Sequence, residues 1–174
     1  MKFDTVSTLS PPWGSAPAWQ EANFSIDFHI KRYYSHLGPV LQIAREACVR
    51  LESIFPALDA ICRLTCPRCP APCCLSASPW YDWRDLIFLH LNQLSIPPTQ
   101  TISGFAETCC YISHKGCTLP RITRPWICTW YLCPAQTANL NARNTGQRKI
   151  LSRLLGEIKA LRENFEDAFI RVIS

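Results

Sequence analysis

Apolar residues return every three or four positions between residues 21 and 55: Leu37, Leu41, Ala44, Cys48, Leu51 and Phe55 fall along one side of a helix. Gly38-Pro39 predicts a break or restart near its beginning. Pro56 predicts a second break, because a proline inside a helix removes one hydrogen bond and crowds the preceding turn. Residues 57–64, with Leu58 and Ile61, carry the pattern a little further. Residues 78–94 read as another helix, capped by Ser78 or Asp82, with Leu86, Leu89 and Leu94 facing inward. The clearest periodicity lies in residues 141–174. There Leu151, Leu154, Ile158, Leu161, Phe165, Ala168 and Val172 make an apolar stripe, and Arg153, Glu157, Lys159, Arg162, Glu163 and Asp167 make a charged face. Leu155 and Phe169 widen the stripe, so this is read as a core helix rather than the seam of a two-stranded dimer.

What separates these helices is less regular. Residues 1–20 hold Pro11, Pro12, Pro17, Trp13 and Trp19 and read as an irregular arm, stapled by its tryptophans to the body or to a partner. Residues 65–79 and 95–108 read as loops, and short strands or turns are expected near residues 110–112 and 127–131, where Tyr, Ile, Trp and Thr gather. The expected fold is therefore mainly α. Residues 21–174 form a single domain, with long N- and C-terminal helices packed around a loop-rich cysteine module at residues 62–133.

Composition narrows the classes. A length of 174 residues suits one domain with a core. Six glycines against fourteen prolines argue against a βα-rich enzyme built on glycine turns and phosphate loops. No apolar run is long enough to span a membrane, and no signal peptide is visible at the N-terminus, so a cytoplasmic, reducing setting is expected. There structural disulfides are rare, and clustered cysteine points to metal or catalysis.

The cysteines then dominate the picture. The chain has eleven, five of them in "CRLTCPRCPAPCC", residues 62–74. Cys66-Pro-Arg-Cys69 is the spacing by which a tight loop turns two thiolates onto one metal. The same spacing serves dithiol redox proteins, but their βαβ setting is missing. Cys73 and Cys74 are adjacent, and adjacent side chains diverge. Either one binds while the other packs, or the two serve neighbouring sites. Cys110, Cys117, Cys128 and Cys133 supply the remaining candidate ligands. Proline follows Cys66, Cys69 and Cys133, which stiffens the loops and tilts the choice slightly toward an iron–sulfur cluster over zinc. Cys62-x3-Cys66-x2-Cys69 also matches the spacing of radical S-adenosylmethionine enzymes. The scarcity of glycine and the lack of βα alternation weigh against that reading. Cys48 is read as a core residue, His90 as a satisfied core or surface histidine, and His114 as a loop histidine rather than a ligand. Trp126, Trp130 and Tyr131 are expected to wall the site from water. The net charge of +5 is a weak guide, since two four-thiolate sites with divalent metal would bring it to about +1.

The order Cys66, Cys69, Cys73, Cys74, then Cys110, Gly116-Cys117 and Arg124-Pro125-Trp126-Ile127-Cys128 resembles the YkgJ-type cysteine-cluster family, or CxxCxxCC proteins. The resemblance covers residues 62–133. It departs from the family in placing three residues, not two, between Cys69 and Cys73. It implies a zinc- or iron-chelating domain in which these cysteines are ligands. Arg124 beside the thiolates is expected either to offset their charge at the cofactor or to be a structural residue whose stem covers Trp126. The function expected is metal or iron–sulfur binding in a redox, metal-handling or accessory role. An enzyme using the centre for methyl transfer or redox chemistry is the alternative, and so is a zinc-stabilised nucleic-acid binder. No nucleotide loop or Ser–His–Asp set supports an enzyme. Basic residues are scattered apart from "RITR" and "GQRKILSR", so a nucleic-acid partner is not expected. A protein partner would meet the N-terminal arm or the C-terminal helix.

Overall fold

The computed structural model describes residues 10–174 apart from Ala71, Lys115 and Asn144; the first nine residues of the expected arm lie outside the described residues. The protein is mainly α. Helix α1 (Ala16–Arg32) begins inside the stretch expected to be an irregular arm. Ser15 caps it by accepting from the Ala18 N–H, and Pro17 sits in its first turn, where a missing N–H costs nothing. The tryptophans do staple this region to the body. Trp19 is buried against Tyr81 and donates from Nε1 to the Pro97 carbonyl at 3.0 Å, and Trp13 packs on Trp83.

The expected interruption near Gly38 is present: a 3₁₀ turn (Tyr34–His36) separates α1 from α2 (Gly38–Thr65). The expected break at Pro56 is not. Helix α2 runs through it, and the segment at 57–64 is its continuation. The reason is tertiary. Val40, Ala44, Ala47, Leu51, Ile54, Leu58 and Ile61 form one unbroken buried stripe, and burying the side chains beyond Pro56 outweighs the local cost of about 3 kcal/mol. That stripe shares Ala44 and Leu51 with the face read from the sequence. It is rotated so that Leu41, Cys48 and Phe55 lie half-buried on its flank. Pro56 itself is exposed. Pro56→Ala is therefore expected to stabilise the protein by about 2 kcal/mol, the helix-interior penalty less the entropy a proline removes from the unfolded chain. A urea midpoint that falls instead would show that the helix depends on its proline.

A short helix α3 (Cys73–Ser76) lies in the cysteine loop. Helix α4 (Trp83–Leu91) starts at Asp82, which closes a reciprocal capping box with Asp85. Leu86 and Leu89 are buried, and His90 Nε2 is hydrogen-bonded to Asn23 Oδ1 at 2.9 Å, a satisfied histidine. Burial lowers its pKa, against a smaller pull upward from Asp27. Strands β1 (Ile112–Ser113) and β2 (Gly116–Cys117) form a small hairpin, with Gly116 at φ +102, where a side chain would be strained. Residues 127–130, in a stretch expected to hold a short strand or a turn, form the single helical turn α5 (Ile127–Trp130). Helix α6 (Pro134–Arg143) then leads to α7 (Thr145–Ile173), which packs along α2. Leu151, Ile158, Phe165 and Phe169 of α7 are buried, as expected of a core helix. No helix among the described residues is long and apolar enough to cross a membrane.

One residue of the α7 charged face breaks the pattern. Arg162 is only 3% exposed. Its guanidinium donates to Asp85 Oδ1 at 2.6 Å and stacks over the rings of Trp126 and Phe88.

Candidate thiol centre

The end of α2 delivers the first thiols. Cys62 and Cys66 lie one turn apart at its C-terminus, and a 3₁₀ turn (Cys66–Arg68) carries the chain to Cys69. Proline at the second position of that turn is compatible with it, and the Cys69 N–H closes it onto the Cys66 carbonyl at 3.1 Å. Cys73 and Cys74 open α3. The second group is held by a buried polar network. Gln100 Oε1 accepts from the Tyr81 and Thr101 backbone N–H groups at 2.7 and 3.0 Å, and the Cys110 N–H donates to the Thr101 carbonyl at 2.9 Å. Tyr81 Oη donates to the Thr123 carbonyl at 2.6 Å and fixes the turn ahead of Arg124. Asp85 Oδ1, the acceptor for Arg162, also accepts from the Trp126 N–H at 2.9 Å. A buried ion pair between α4 and α7 thus holds the backbone of Arg124-Pro125-Trp126-Ile127-Cys128.

All eleven cysteines are free, so no disulfide framework exists among them. Nine form a series in which each thiol acts electrostatically on the next. Burial raises Cys66, and the nearby Cys62 and Cys73 raise it further. Burial, then Cys74 and Cys133, push Cys73 up to about 11. Cys74 is raised by burial and by Cys66 and Cys117, while the Cys73 contact and the Arg124 charge pull it down. Burial raises Cys109, and Cys110 and Cys117 add to it. Cys128 keeps an exposed flank, yet the protein crowded around its sulfur, followed by Cys109, Cys117 and Cys74, pushes it up to about 12. Thiols packed this closely resist ionising together unless a cation joins them. Soft sulfur donors in this number suit zinc or iron–sulfur chemistry. As the side chains stand, however, no three Cys, His, Asp or Glu among the described residues surround a common point in a way that would hold a metal ion.

Of the expected ligands, Cys66, Cys73, Cys74, Cys117, Cys128 and Cys133 belong to this series of thiols, with Cys110 at its edge. Cys69 is half-buried and follows Cys66 by one 3₁₀ turn. Cys48 is half-buried against the core, where burial raises its pKa. His114 is exposed. Arg124 Nε donates to the Leu119 carbonyl at 3.0 Å, and its charge acts on Cys74. The residue stacked over Trp126 is Arg162. Trp130 and Tyr131 do not wall the thiols in; they are 44% and 46% exposed, because the α5 turn aims them outward where a strand would have offered an inward face.

Sequence reasoning passed over three groups. Cys62 accepts hydrogen bonds from Arg121 Nη2 at 3.7 Å and Gln136 Nε2 at 3.4 Å. Gln136, 6% exposed, also reaches Cys66 Sγ at 3.8 Å. Cys109 neighbours Cys117 and Cys128. The C-x3-C step from Cys62 to Cys66, one helical turn, was the only signal for the first. Nothing marked Gln136. Arg121 is also paired with Asp59 at 2.5 Å, so "RITR" is committed to carboxylate, carbonyl and sulfur rather than presented as a basic patch. A separate apolar cavity of about 400 Å³ lies between α2, α6 and α7, lined by residues such as Ile54, Leu64 and Ile150 and by no thiol or charged group among the described residues.

Comparison with known proteins returned no match from any family model, curated protein or solved structure.

Proposed function

We propose that this chain is a thiolate metal-binding protein that holds zinc or an iron–sulfur cluster within residues 62–133 and serves a redox, metal-handling or accessory role in a reducing, cytoplasmic setting. The observation that carries the reading is the series of nine free thiols, drawn from three separate stretches of sequence, that act electrostatically on one another. A core has no packing reason to bring so many there, and two arginines lie beside them. The order of the cysteines and of Arg124-Pro125 adds the resemblance to CxxCxxCC proteins. A bound metal would supply the positive charge that lets these thiols ionise together. The protein's own residues would position the sulfurs, donate hydrogen bonds to them from Gln136 and Arg121, and set Arg124 against their negative charge.

The test is purification without oxygen, followed by metal analysis and electron paramagnetic resonance after reduction. Brown protein with broad visible absorption, iron and a reduced-cluster signal establishes the iron–sulfur form. Colourless protein with stoichiometric zinc establishes chelation. Protein free of both metals, and unable to take up either, ends the proposal.

A further inference from the structure

Between α2, α6 and α7 the packing leaves a cavity of about 400 Å³. Its origin lies in the sequence of α2. The buried stripe through Ile54, Leu58 and Ile61 is large throughout, but the face beside it carries Ser53, Ala57 and Ala60, whose side chains are too short to fill the space before α7. Leu140 of α6 and Leu151 and Leu154 of α7 line the other side. Protein interiors hold few voids larger than a water molecule, so a hollow of this size between three helices is not ordinary packing. Two of its lining residues, Leu64 and Ile150, are 47% and 54% exposed, so the hollow opens to solvent with aliphatic side chains at its edge.

We infer that this cavity is a binding site for a neutral, mainly hydrocarbon small molecule of the size of a medium-chain alcohol. Size, lining and charge carry the inference. The volume of about 400 Å³ falls within the about 300–1,000 Å³ of small-molecule sites, which in helical proteins often lie between helices. Three helices enclose the space, whereas a docking face for another protein would lie open across one or two. The lining is mostly aliphatic. Ser53 Oγ donates to the Arg50 carbonyl at 2.6 Å, and Asn139 and Gln147 bring amide groups that suit a hydroxyl or carbonyl end. No charged group lines the cavity among the described residues. One turn further along α2 and α7, Arg50 and Glu157 pair with each other at 2.5 Å. A carboxylate or ammonium ligand would therefore lose its water without gaining a counter-charge. The inference uses no thiol and stands apart from the metal-binding reading.

Fluorescence titration of the full chain with N-phenylnaphthylamine, an uncharged aromatic dye that brightens in apolar surroundings, tests this. The expected result is saturable binding at a single site, displaced by decanol at least about tenfold more effectively than by decanoate. Decanol should also raise the urea midpoint, as a ligand of the folded state does. Ala57→Leu and Ala60→Leu fill the hollow and should each weaken dye binding at least about tenfold. Ala160→Leu, at an exposed position on the opposite side of α7, should leave it unchanged. Absence of saturable dye binding by the wild type overturns the inference. So does displacement by decanoate as readily as by decanol, a urea midpoint that decanol leaves unchanged or lowers, or an equal loss in Ala160→Leu and the filling variants. A chain that dimerises and takes up the dye only on dilution would put a second copy over the opening, and overturns it too. The wild-type measurements decide the matter even where a filling variant fails to fold.

Discussion

Arg162→Ala is expected to cost about 3–5 kcal/mol of folding stability, a large share of the total for a domain of this kind. The loss comes less from the missing attraction than from what remains. Asp85 stays buried, with Oδ1 still accepting from the Trp126 N–H but with no cation beside it. The pH dependence identifies this cause. Burial already holds the Asp85 carboxyl up at about 6, against the downward pull of Arg162. A carboxyl raised in the folded state binds its proton more tightly than in the unfolded chain, so its contribution to stability falls as pH rises through the window between the two values. Without Arg162 the folded value moves higher still. The gap between wild type and variant should therefore widen from pH 6.5 to pH 8.5. Urea midpoints across that range are the measurement, and a gap independent of pH would show that lost packing on Trp126 and Phe88 is the whole effect.

The proposed metal binding carries the second large effect, expected when the metal is removed. Structural zinc contributes about 10–16 kcal/mol in small domains that lack a core of their own. Here α2, α4 and α7 share a core built from Leu58, Leu86, Ile158 and Phe165, so the frame keeps its own source of stability. Chelation should loosen the thiol-bearing segments and spare the frame. Trypsin cleavage after Arg121 should speed up at least about tenfold, an opening of about 1.4 kcal/mol or more. The far-UV helical signal should stay nearly whole, since the long helices supply it. Collapse of that signal would mean that the frame depends on the metal. Unchanged cleavage would mean that the network of Tyr81, Gln100 and Asp85 alone holds the segments.

The helices were legible wherever a stripe of one periodicity ran long enough. Leu151, Ile158 and Phe165 mark α7 because burial on one face of a helix leaves a repeat of three and four residues. Asp82 marks the start of α4 because a capping carboxylate acts on the three residues after it. The interruption near Gly38 was visible for the same local reason. Pro56 misled because its penalty is local while the stripe it interrupts is held by contacts with α6 and α7, far along the chain. Residues 127–130 left strand and turn both open, and the turn formed, because aromatic and β-branched side chains favour a strand only where a neighbouring strand exists to pair with.

The sequence alone determined that thiols would crowd into residues 62–133, that long helices would flank them, and that Cys48 would stand apart from them against the core. The density and order of cysteines are properties of the chain itself. Only the tertiary structure decided that Arg162, on the charged side of an amphipathic helix, is buried against Asp85, that Gln136 lies between the sulfurs of Cys62 and Cys66, and that Arg121 reaches Cys62. These roles depend on which side chains from distant segments end up within hydrogen-bonding reach of one another. Hydrogen bonds and ion pairs of that range leave no periodic trace along a sequence, because the partner can lie anywhere on the chain.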